Sequence, residues 1–217
     1  MQRNNQKQEM LIEEKKLEVK NMAKVKVFRC RICGDPYIGT GAPTQCPFCG
    51  AQQRYFVEGK DWNPDEFNVT LSDVASKSLR AALQLELDNA TFYDCAKNAA
   101  EKAGDEYGFA KFKALMKVER EHASAISKFL SISQPELEKL TCSANSQANT
   151  QEGWERENRA IEAYAKFRDE ATEPRLKEFF GALVEIETDH LDLHAEDLQQ
   201  MQGEIAQQKN NRGKKEK

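Results

Sequence analysis

The sequence predicts a mainly α protein, a bundle of four helices preceded by a small cysteine-rich metal module. Three observations lead there. Cys30, Cys33, Cys46 and Cys49 form two C-x-x-C pairs near the N-terminus. From about residue 72 the chain has helical periodicity almost to its end, interrupted at Gly104, after Leu130 and at Pro174. Two Glu-x-x-His motifs, Glu119/His122 and Glu187/His190, fall on different predicted helices.

Composition narrows the class. With 217 residues, 31% charged, 8% aromatic and a net charge of −4, the chain lacks the basic excess that nucleic acid demands. No apolar run approaches the ~20 residues of a membrane span. The start, MQRNNQKQEMLIEEKKLEVKNM, has no apolar core for a secretory signal and too many acidic residues for a transit peptide. A cytoplasmic location is the expectation.

Residues 1–24 predict a disordered or weakly helical leader, with Met22 as an alternative start. Residues 25–58, rich in Gly, Pro, Cys and Thr, predict a loop-rich metal domain, and 59–71 a linker broken by Pro64. A first helix is expected from a Ser72 cap to about Gly104, and a second from about Asp105 to Leu130. After a polar stretch with at most one helical turn, a third runs from near Glu152 to Thr172. A fourth begins at Pro174, suited to a first turn, and ends near Gln202. The bundle thus spans 72–203, and 204–217 predict a disordered basic tail. Two helical hairpins joined by one long connection fit a ferritin-like four-helix bundle.

Six cysteines divide into four and two. In a reducing compartment, paired C-x-x-C motifs indicate a metal rather than disulfides. Four thiolates on two knuckles, each followed by a glycine (Gly34, Gly50), suit one tetrahedral iron, with zinc as the alternative. Metal binding must also stabilise so small a module. Cys95 and Cys142 have no His or second Cys nearby in sequence and are expected to be inert thiols.

Glu and His three apart on a helix share one face. Leu115, Met116, Ala123 and Ile126 flank the first pair at core spacing, as Leu183, Val184 and Leu191 flank the second, so both motifs point inward. Glu86 shares the face of Ala82, Leu83, Ala90 and Tyr93; Glu157 shares that of Trp154, Ala160, Ile161 and Tyr164. The order Glu86, Tyr93, Glu119, His122 recurs as Glu157, Tyr164, Glu187, His190, an internal repeat that predicts a pseudo-two-fold axis. Four Glu and two His from four helices make a di-iron carboxylate site, with manganese also compatible. Tyr93 and Tyr164 are read as hydrogen-bond partners of these carboxylates, or as packing, rather than radical carriers. His194 shares the inward face and is placed beside the metals rather than on them. Glu121, Glu162, Glu185 and Asp189 fall on neighbouring faces and are read as solvated or in surface pairs.

The sequence Cys33-Gly34-Asp35-Pro36-Tyr37, then Gly41-Ala42-Pro43 and Cys46-Pro47-Phe48-Cys49-Gly50, resembles the rubredoxin-like knuckles of rubrerythrins. With the bundle the resemblance covers residues 25 to about 200, in the reversed domain order of the reverse rubrerythrins. It implies a peroxidase that reduces hydrogen peroxide, with O2 as the other candidate oxidant, at a di-iron site. Electrons would be relayed through the thiolate iron from a rubredoxin or an NAD(P)H-dependent reductase. It implies the metal ligands Glu86, Glu119, His122, Glu157, Glu187 and His190, with Glu119 and Glu187 bridging, and a homodimer or higher oligomer. Rubrerythrins carry a further glutamate beside the equivalent of Glu157; here the neighbouring inward candidates are Arg156 and Arg159. Two other functions compete: Fe(II) oxidation with a structural zinc module, and oxidation of an organic substrate.

Overall fold

The computed structural model describes residues 24–215, with side chains through residue 203. The expected leader, including Met22, lies outside the described residues. The N-terminal module is a three-stranded antiparallel sheet of β1 (Lys26–Cys30), β2 (Pro36–Gly39) and β3 (Phe56–Glu58), in the order β2-β1-β3. Val27 pairs with Ile38 and Arg29 with Val57, so β1 is central. Each C-x-x-C pair closes a turn of the same form. Gly34 N–H donates to Cys30 O at 2.7 Å, and Gly50 N–H to Cys46 O at 2.9 Å. Both glycines have positive φ, 89° and 78°, which a side chain would strain.

The segment read as a linker is a packed strap. Phe67 stacks edge-on against Phe129 at 5.0 Å, and buried Glu66 accepts from Arg31 at 2.8 Å and forms an ion pair with Arg175 at 2.9 Å. Periodicity gives no sign of this, because the strap is tied down by single side chains rather than a repeating face.

Four helices follow: α1 (Asp73–Ala103), α2 (Glu106–Leu130), α3 (Ser146–Glu170) and α4 (Pro174–Lys215). Ser72 caps α1 by accepting from Ala75 N–H at 3.1 Å, and Gly104 ends it in the left-handed region. Asp105 caps α2 through Gly108 N–H. Helix α3 begins earlier than the expected Glu152, because Asn145 caps it through Ala148 N–H at 2.9 Å. Helix α4 continues to Lys215 where a disordered tail was expected; its Glu, Ala, Gln and Lys favour helix, and one Gly costs only about 1 kcal/mol.

α1 packs chiefly on α2 and α3 on α4, as two hairpins. The connection 131–145 runs back along α1, Pro135 and Leu140 lining one groove together with Arg80, Leu83 and Leu87. Cys142 on this connection is disulfide-bonded to Cys95 of α1, Cα atoms 6.0 Å apart. This corrects the reading of both as free, inert thiols: their partnership is created by the chain's return past α1. Such a bond is unusual in a reducing compartment. No helix of the described residues is long and apolar enough to cross a membrane.

Candidate metal centres

The two knuckles bring Cys30, Cys33, Cys46 and Cys49 together, essentially fully buried. Cys30 Sγ lies 3.7 Å from Cys49 Sγ, and Cys33 Sγ 3.8 Å from Cys46 Sγ. A tetrahedron of sulfurs about 2.3 Å from a central metal has edges of about 3.8 Å, so the set already has the size of a metal site. Asp35 N–H points at Cys33 Sγ from 3.4 Å, a contact that stabilises thiolate.

In the bundle, Glu86, Glu119, His122 and Glu187 form one buried group of donors, and Glu119, Glu157, Glu187 and His190 a second. Glu119 and Glu187 belong to both. His122 Nδ1 lies 3.2 Å from Glu187 Oε1 and 3.4 Å from Glu119 Oε2 and Glu86 Oε2. His190 Nδ1 lies 2.8 Å from Glu187 Oε2 and 3.3 Å from Glu119 Oε1. Each shared carboxylate therefore gives one oxygen to each side. Donors on a common metal at about 2.1 Å sit roughly 3 Å apart, which these spacings approximate.

The buried polar atoms test the fit. Glu86 Oε2, both Glu119 oxygens, Glu157 Oε2, Glu187 Oε1 and His122 Nδ1 have no hydrogen-bond partner. Buried carboxylates left so would be very costly, and two divalent cations satisfy them. His122 Nε2–H donates to the carbonyl of Cys49 at 3.0 Å, leaving the Nδ1 lone pair for the cluster.

Burial pushes the Glu86 and Glu157 carboxyls well above their ordinary range. Burial acts upward on Glu119 too, but the imidazoles of His122 and His190 outweigh it and hold this carboxyl low. Burial opposes charging of both histidines, yet Glu86 and Glu187 raise His122, and Glu187 and Glu119 raise His190. The metal-free cluster thus balances its charge with protons.

The tyrosines reach across the pseudo-two-fold axis. Tyr93 O–H donates to Glu157, and Tyr164 O–H to Glu86 at 2.6 Å. His194 is fully buried and meets Tyr93, not the donor groups. Arg159 is exposed and Arg156 lies over the Phe92 ring, so neither points at the cluster; Ala160 is the buried neighbour of Glu157. Helical phase explains the correction, since 160 follows 157 by one turn.

Sequence reasoning missed the residues that seat the module on the bundle. Arg31 makes a two-pronged bond to Glu178 at 2.7 and 2.9 Å. Gln45 donates to Asp189 at 2.8 Å, and Arg54 pairs with Glu185. Asp189 and Glu185, read as solvated or in surface pairs, make their pairs with the module, a choice of partner that a polar helix side does not reveal in sequence.

Comparison with known proteins agrees with this arrangement. Residues 28–57 match the model of the rubrerythrin rubredoxin-like domain, and residues 77–198 match that of rubrerythrin. The chain is 32% identical over 114 residues to Reverse rubrerythrin-1 of Clostridium acetobutylicum; the match covers 49% of this chain and 62% of the relative. The chain therefore spans less than two thirds of that relative's length. No solved structure matches it. The four-cysteine and carboxylate–histidine clusters supply donor sets for a mononuclear iron and a di-iron centre. The chain belongs to the rubrerythrin family, with its rubredoxin-like domain ahead of its ferritin-like helical domain.

Proposed function

We propose that the protein is a peroxide reductase: it converts hydrogen peroxide to two waters, consuming two electrons and two protons. Cys30, Cys33, Cys46 and Cys49 would hold one iron, and Glu86, Glu119, His122, Glu157, Glu187 and His190 would hold two, Glu119 and Glu187 belonging to both donor groups. When bound, the ferrous pair supplies both electrons to the peroxide O–O bond, and the thiolate iron helps replace them.

One observation carries this reading. The His122 imidazole spans the gap between the centres, its Nε2–H on the Cys49 carbonyl and its Nδ1 facing the carboxylates. A ligand of one centre is thus hydrogen-bonded to the backbone of a ligand of the other within a single chain. Gly50 sits against Ile186, where an added Cβ would come 3.1 Å from Cγ2, so the glycine permits the close seating. A zinc-filled structural module would require no such connection. Tyr93 and Tyr164 orient Glu157 and Glu86, and burial excludes bulk water from both clusters.

The test is anaerobic stopped-flow mixing of the reduced protein with peroxide and, separately, with O2. Expected is rapid return of thiolate-iron absorbance with peroxide, faster than with O2. A colourless module with slow peroxide reaction and catalytic Fe(II) oxidation would replace this reading with iron handling.

A further inference from the structure

The internal repeat extends beyond the candidate ligands, and it breaks in one region. A shift of 68 residues carries Phe112, Glu119 and His122 onto Phe180, Glu187 and His190, and a shift of 71 carries Glu86 and Tyr93 onto Glu157 and Tyr164. At the end of the bundle beneath the four-cysteine module, Leu79, Ala82, Ile126, Phe129 and Phe179 are all buried, the two Phe rings 5.0 Å apart. The same shifts relate these residues to Thr150, Gly153, His194, Asp197 and Lys111 at the opposite end. An apolar plug at one end corresponds to a buried polar cluster at the other. The fold does not demand that polarity, since the repeat-related positions at the other end are filled with hydrocarbon.

The polar cluster is connected. Tyr93 gives its only proton to Glu157, so the 3.0 Å contact with His194 has Nε2–H donating to the Tyr93 oxygen. His194 Nδ1 is then a buried acceptor without a protein partner. Gly153 makes room for this ring: a Cβ there would lie 2.7 Å from His194 Cε1 and Nε2. Lys111 Nζ donates to Asp197 Oδ2 at 2.6 Å and to Thr150 Oγ1 at 2.9 Å. Asp197 Oδ1 accepts from the hydroxyl of Tyr107 at 2.7 Å, and Tyr107 is 56% exposed. Asp197 follows His194 by about one turn of α4, which puts the two side chains on the same face of the helix.

We propose that this end of the bundle is the proton entry to the di-iron centre: protons pass from solvent at Tyr107, through the Asp197–Lys111 pair and one water, to His194 Nδ1, and from His194 Nε2 to the Tyr93 hydroxyl. The inference rests on the peroxide-reductase reading, whose two electrons must be matched by two protons. As His194 takes a proton at Nδ1 it releases one from Nε2. Tyr93 passes its own proton towards Glu157, and from there it reaches the peroxide oxygen, so no protein group changes its net proton count. The transfer leaves the imidazole as its Nδ1–H tautomer, one proton being delivered for each that enters. Burial and then the Lys111 charge hold His194 down to about 3, which keeps the ring neutral and able to donate and accept at once. Electrons and protons thereby enter from opposite ends of the bundle.

Two measurements test the path. In full-length zinc-loaded protein labelled with 15N-histidine, the His194 Nε2–H should exchange with solvent at least about tenfold more slowly in K111M/D197L than in the wild type, on the scale of general acid–base effects. A loosened structure would instead speed exchange, and an unchanged rate overturns the proposal. In the iron-loaded protein, G153A/H194I copies the Ala82/Ile126 packing of the other half. It should retain wild-type iron content and thiolate-iron absorbance, yet lose at least about tenfold in single-turnover oxidation by peroxide. Oxidation at the wild-type rate overturns the proposal. If wild-type protein proves inert to peroxide, the reductase reading fails, and the exchange rates alone decide whether the path exists.

Discussion

Glu119 and Glu187 show how much a single side chain does in this protein. Each offers one oxygen towards His122 and the other towards His190, so removing either disturbs both candidate metal positions. The residues around them store protons when metal is absent. Burial favours neutral Glu86 and Glu157, while the carboxylates overcome burial to favour charged His122 and His190. Each of these four groups must lose its proton to bind a cation, so loading releases protons and apparent affinity rises with pH. Anaerobic titration of metal-free protein with Fe(II) in weakly buffered solution at pH 7 should acidify the medium, with tighter binding at pH 7.5 than at 6. Loading without proton release would show that the cluster is already deprotonated.

Among the elements, the connection 131–145 is the least regular and the most consequential for topology. It leaves α2 beneath the module and delivers the chain to the start of α3 at the other end, which lets the second hairpin repeat the first. The Cys95–Cys142 disulfide pins it to α1 across 47 residues of sequence. A closed loop of that length removes about 4 kcal/mol of unfolded-state entropy in the chain-entropy treatment. The C95A/C142A variant should lose on the order of 2–4 kcal/mol in urea unfolding under non-reducing conditions while keeping its iron. A midpoint equal to that of the wild type would show that caps and packing hold the connection unaided. The strap at 62–71 illustrates the same physics, with Phe67 and Glu66 anchoring a segment that has no periodicity to betray it.

Across the whole molecule, the decisive relation is the seating of the module on the helices of its own chain. The 3.0 Å contact of His122 with Cys49 brings the two candidate centres together in one chain. The rate at which peroxide reoxidises the thiolate iron should therefore stay constant per chain on hundredfold dilution. A rate that falls with protein concentration would mean that the productive pair forms between subunits. Arg31 supports the seating from the module, bonded to Glu66 in the strap and Glu178 in α4.

The sequence by itself determined the fold class, the helical hairpins, the four-cysteine cluster and the donors of the second cluster. Each is written in short spacings: two residues between cysteines, one helical turn between Glu and His, a Ser or Asp before a helix. Caps and periodicity are local, and they need no knowledge of what lies across the bundle. Tertiary structure alone decided the disulfide, the contact of His122 with Cys49, and the pairing of Asp189 and Glu185 with the module. These depend on which faces approach each other across tens of residues, and polar surfaces that meet are indistinguishable in sequence from polar surfaces that face water. His194 lies between the two cases. Its inward phase was legible from its place on the helix, but its bond to Tyr93 and its apolar counterpart Ile126 acquire meaning only when the two halves are superimposed in space.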